Sequence, residues 1–141
     1  MNDPRWDNLT NSEWNAFATA WTAELNGDQT AALPDLPWLL DGPSPTTAGE
    51  YVVPMNFTAS SSAQWKFIQA AYWCGNKESH GHLAAGPIEH LLGKHGAEYI
   101  VLVEQLADDD PLFANILMGC YQNQMSDDVW QRLCVARENV G

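Results

Sequence analysis

The chain has 141 residues, 45% of them hydrophobic, which suits one domain whose core buries roughly two-thirds of the unfolded surface. Eighteen acidic residues against six basic ones give a formal charge of −12. Such a molecule is repelled by nucleic-acid phosphates and anionic membranes and drawn to basic protein surfaces, so direct DNA, RNA or membrane binding is not expected.

The opening residues, MNDPRWDNLTN, lack the basic stretch and apolar core of a secretory signal. The aliphatic run from Ile100 to Val103 is too short to span a bilayer. Cys74, Cys120 and Cys134 are odd in number and show no paired spacing, so the expected compartment is the cytoplasm. The first helix is announced by Thr10 and Glu13, which have the spacing of a capping box. Trp14, Phe17, Trp21 and Leu25 then recur on one helical face until Asn26-Gly27, and Trp6 is expected to pack back on the body.

From 27 to 57 the helical period is lost. Pro34, Pro37, Pro43, Pro45 and Pro54 punctuate a long irregular segment, with one helical turn expected over 34–40 and an extended Tyr51-Val-Val. A long irregular stretch in a compact domain is often functional, so a binding surface is expected here, carried by Asp35, Trp38, Asp41, Glu50 and Tyr51. The blander role for Trp38 is a hydrophobic plug over the core. A helix capped by Thr58 or one of Ser60 to Ser62 follows, with Trp65, Phe67, Ile68, Ala71, Tyr72 and Trp73 along it, and ends at Gly75-Asn76.

A short helical piece from Lys77 leads to the stretch 84–121, whose glycines and prolines divide it into helices. Gly86-Pro87 reads as a helix start, with Glu89 at the amide-rich end and Ile88, Leu91 and Leu92 on the apolar face. Gly96 reads as its stop, in the left-handed conformation that follows many helices. Tyr99, Ile100, Val103 and Leu106 form the next stripe, ending at the corner Asp108 to Asp110. Asp110-Pro111 opens a helix with Leu112, Phe113, Ile116, Leu117, Cys120 and Tyr121 on its buried side, and Ser126 opens the last one, carrying Val129, Trp130 and Leu133. The fold class predicted is all-α: a single-domain antiparallel helical bundle or helical-hairpin stack of about five to seven helices, spanning 1–141.

All four histidines fall between His80 and His95, a cluster open to a metal-site reading or to polar and capping roles. His80 and His82 are two apart, and His90 and His95 five apart, neither of which suits a zinc pair on a helix. A metal reading would rest on His80, His82 and His90. There is no G-x-S-x-G, P-loop or G-x-G-x-x-G, so no catalytic residue is assigned and no cofactor is expected.

The run Ala84-Ala85-Gly86-Pro87-Ile88-Glu89-x-Leu91-Leu92, followed by His95-Gly96, resembles an uncharacterised bacterial domain family with an A-A-G-P-[IL]-E-x-L-L…H-G signature. Asp110-Pro111-Leu112-Phe113 and Val129-Trp130 match its later helices, so the similarity covers Trp65 to Arg137. Position 90 is histidine where that family more often has an acid. The resemblance implies a small bacterial helical protein and carries no transferable activity.

The function expected is therefore a small acidic binding protein whose partner has a basic surface. Its sharpest form is an immunity or inhibitor protein that neutralises a basic toxin or nuclease. The alternatives are a small enzyme or metal protein using the His80–His95 cluster, and a regulatory or scaffold module.

Overall fold

In the computed structural model, which describes residues 2–28 and 47–138, every regular element is helical. The α-helices are α1 (Asn11–Leu25), α2 (Gly49–Thr58), α3 (Ser61–Cys74), α4 (Lys77–Leu83), α5 (Glu89–Asp109), α6 (Pro111–Ile116) and α7 (Asp127–Ala136). Contacts divide the chain into two compact units, Met1–Ser79 and His80–Gly141. Among the described residues no helix is long and apolar enough to cross a membrane.

The first unit is built on stacked aromatics. Trp6, Trp14 and Phe17 lie with ring centroids 6.1 to 6.3 Å apart, and Phe67 of α3 reaches Phe17 at 4.8 Å and Trp21 at 5.4 Å. Each such ring, once buried, contributes about 1.5–3 kcal/mol over its exposed state. The expected capping box is present: Glu13 N–H donates to Thr10 Oγ1 at 3.1 Å, and Thr10 N–H to Glu13 Oε1 at 2.8 Å. Ser60 caps α3, accepting from Ala63 N–H at 3.2 Å. Thr58 has a different task. Its hydroxyl accepts from the Trp6 indole at 2.9 Å and donates to the Pro54 carbonyl at 2.7 Å, while its carbonyl accepts from Asp3 N–H at 2.6 Å. The N-terminal 3-10 turn Pro4–Asn8 is thereby tied to the end of α2.

The irregular segment predicted over 27–57 is corrected at its far end, where Gly49 to Phe57 are helical and Tyr51-Val-Val is not extended. Ala48 has no side chain with which to cap α2, so no local start signal is visible in the sequence. The cap comes from α1 instead. The Glu24 carboxylate accepts from Gly49 N–H at 3.1 Å and from Ala48 N–H, placing negative charge on the positive end of α2. Residues 29–46 lie outside the described part of the chain.

The second unit corrects two predicted helix boundaries. Gly86-Pro87 does not start a helix. Ala84–Ile88 is a π turn, and helical backbone runs from α4 through it into α5. Pro87 has no N–H to give and its ring would strike the carbonyl four residues back, so the helix widens rather than breaks. Gly96 is not left-handed either, since Gly27 is the one positive-φ glycine among the described residues. The kink falls one residue earlier, at His95 with φ −128° and ψ 30°. Gly96 is required for space: a Cβ there would lie 2.9 Å from Val129 Cγ2, so α7 approaches α5 as only glycine allows. Ile100, Val103 and Ala107 of α5 and Val129 and Leu133 of α7 are buried.

Downstream, Asp110 accepts from Leu112 N–H at 3.0 Å and caps α6 as its sequence predicts. The stripe expected on that helix is half right. Phe113, Ile116, Leu117 and Cys120 are buried, but α6 ends at Ile116 and passes into a 3-10 turn, Leu117–Gly119. The change of pitch turns Tyr121 outward, to 73% exposure, and Leu112 is 54% exposed.

Candidate functional site

The sequence-predicted binding residues do not form one site among the described residues. Asp35, Trp38 and Asp41 lie in the undescribed stretch. Glu50 is exposed in the first turn of α2. Tyr51 is 1% exposed, with its ring 6.1 Å from Phe17 in an edge-on contact, which makes it a core residue and corrects its expected place on a surface. The two are neighbours on a helix rather than on a loop, so their side chains diverge by about 100°.

The histidines are also dispersed. His80 is buried, His82 is exposed on the opposite side of the same helix, and His90 is half-buried on α5. Burial, helped by the charge of Lys94, holds the His90 imidazole below its ordinary pKa. Among the described residues no group of three or more histidine, cysteine, aspartate or glutamate side chains is placed to hold a metal ion. His80, His82 and His90 do not converge on one centre.

A different surface emerges between the C-terminal half of α5 and the end of α7. A hollow of about 440 Å³ is lined there by Glu104, Gln105, Asp108, Val135 and Ala136. Glu104 and Asp108 are four apart on α5, one helical turn, so both carboxylates stand along the same edge. Val135, 71% exposed, and Ala136 supply an apolar wall from α7. The arrangement sets an acidic rim beside an apolar wall, a chemistry able to receive the methylenes and the charge of a lysine or arginine side chain.

One carboxylate of this rim also ties the two helices together. Arg132 donates from Nε to Glu104 Oε2 at 2.9 Å and from Nη2 to Oε1, a two-pronged pair that fixes α7 against α5. The same bonds raise the Arg132 pKa above its usual value. Arg137 is drawn away, its guanidinium 5.1 Å from the Trp130 ring centre. Between His80 and Glu138 there are nine carboxylates and three lysine or arginine side chains. Asp108 and Asp109 belong to this local excess of negative charge.

Sequence reading passed over these residues. Asp108 was a corner residue and Val135 lay off the buried stripe of α7. The one legible signal was the Glu104–Asp108 spacing. Nothing in the sequence says that Val135 lies opposite it.

Comparison with known proteins adds one finding: a model described as a family of unknown function, DUF6869, matches residues 46–141. No curated protein matches the chain. No solved structure matches it.

Proposed function

We propose, for a chain that belongs to the DUF6869 family and inherits no activity from it, that the molecule is an acidic binding protein for a partner with a basic surface. The observation that carries this is the hollow between α5 and α7, with Glu104 and Asp108 on its rim and Val135 on its wall, in a stretch where acidic residues outnumber basic ones. The overall charge of −12 supports it, because a field of that sign speeds encounter with a basic surface while the hollow holds one anchoring side chain. The sharpest form is an immunity or inhibitor protein covering a basic toxin or nuclease, in the cytoplasm of a bacterium.

The test is affinity purification from the native host with wild type and with Asp108→Lys, each at low and high salt. A single basic protein should co-purify with wild type at low salt, fall away at high salt, and be lost from Asp108→Lys. Recovery of the bare chain from wild type, or equal capture by the variant, would remove this site from the function.

A further inference from the structure

Glu89 is the charged side chain most deeply buried among the described residues, at 5% exposure, and the surface just described makes no use of it. Sequence position alone places it at a helix start facing free amides. The π turn instead keeps the helix continuous, so those amides are occupied and Glu89 turns to the segment 120–125. Asn123 Nδ2 donates to Glu89 Oε1, and the Tyr121 backbone N–H donates to the same carboxyl group. Both donors are neutral.

The rest of the segment is held close by other means. Cys120 Sγ–H donates to the Ala84 carbonyl at 3.2 Å, from the 3-10 turn's end to the π turn. A Cβ on Gly93 would sit 3.3 Å from Gln124 Cβ, which shows how near the segment runs to α5. Asn123 itself adopts φ +45°, a left-handed conformation that costs a non-glycine residue about 1 kcal/mol, and it does so where its amide meets Glu89. The carboxyl group is thus the hub of a closed segment, and its ties to Asn123 and Tyr121 are ones that a carboxylic acid and a carboxylate make differently.

We infer that Glu89 and the 120–125 segment form a pH-sensitive latch, in which the closed segment takes up a proton on Glu89 and its opening is linked to release of that proton. Burial raises the Glu89 carboxyl above its ordinary value of 4.5, against the opposing effect of the Asn123 and Tyr121 bonds. The closed form therefore binds the proton more tightly than an open, solvated form. Its advantage is complete below about 4.5 and is lost as pH rises through the higher value that burial confers. Opening would present Cys120 and change the setting of Tyr121 and Met118, two exposed apolar side chains that flank the hub.

The other ionisable groups acting here are accounted for. Cys120 is pushed up to about 12 by burial and by the Glu89 charge, so it is silent near neutrality. The Arg137 charge, at the end of α7, acts on Cys120 in the opposite sense. His90, next to Glu89 on α5 and near Lys94, titrates below its usual value of 6.5. It is unchanged in the variant below, as is Asp127, whose carboxylate accepts from Gln122 Nε2 of the segment at 2.8 Å.

Amide hydrogen exchange on the full chain between pH 4 and 8, corrected for intrinsic rates, reads the latch at Tyr121, Cys120 and Met125. In wild type the opening equilibrium at these amides should rise with pH, by at most about tenfold per unit, the limit for one proton. In Glu89→Gln, which keeps a carbonyl acceptor and cannot ionise, the slope should vanish with the segment at least as closed as wild type at pH 5. A flat wild-type profile overturns the inference, and so does an equal slope in the variant, which would place its source outside Glu89; His90, whose imidazole is held below its usual value, would give a slope of the opposite sign. If the variant does not fold, the wild-type Tyr121 amide proton resonance decides. It must follow one titration with a midpoint above 4.5, and absence of that titration overturns the latch.

Discussion

Gly81 and Gly96 both sit inside helices, yet replacing them with alanine should have opposite effects. A Cβ on Gly81 meets nothing within 4 Å, so Gly81→Ala should stabilise the protein by up to about 1 kcal/mol through helix propensity. A Cβ on Gly96 would stand 2.9 Å from Val129, and the strain of forcing α7 away outweighs that gain. Gly96→Ala should cost about 1–3 kcal/mol, with urea midpoints of the two variants moving in opposite directions. The sequence made Gly96 look like a C-terminal cap because glycine serves both purposes, and its neighbours in the chain do not tell them apart. Val129, which does, is thirty-three positions away.

Helix starts divide into those written locally and those supplied from a distance. Thr10, Ser60, Asp110 and Ser126 accept from amides two or three residues ahead and were visible in the sequence for that reason. The start of α2 was not, because its cap is the Glu24 carboxylate. Glu24→Ala should therefore cost about 0.5–2 kcal/mol and abolish exchange protection at Ala48 and Gly49. Retained protection there would mean that the cap is not the carboxylate. The tie between α5 and α7 is of a weaker sort. Glu104 and Arg132 are each about one-third exposed, so a double-mutant cycle should give a small coupling that shrinks in high salt.

At the scale of the whole molecule the governing quantity is the charge of −12. Association with a basic partner should slow by about tenfold or more between low salt and 0.5 M, as expected of electrostatic steering. Neutralising a carboxylate on the hollow should lower both the rate and its salt dependence, which stopped-flow fluorescence would follow through the protein's tryptophans. A rate indifferent to salt would argue that the acidity serves solubility and not encounter.

Composition and periodicity determined the all-α class, most of the buried stripes of α1, α3, α5 and α7, and the acidic character, because those follow from residues within a few turns of one another; Trp73, expected on the apolar face of α3, is instead 69% exposed. Only the tertiary structure decided that Pro87 lies in a π turn, that Glu89 is sealed under Asn123 and Tyr121, that Tyr51 is core, and that Val135 faces Glu104 and Asp108. Each of these depends on what a distant segment places beside a side chain. Spacing along the chain records which way a residue points, and not what it meets there.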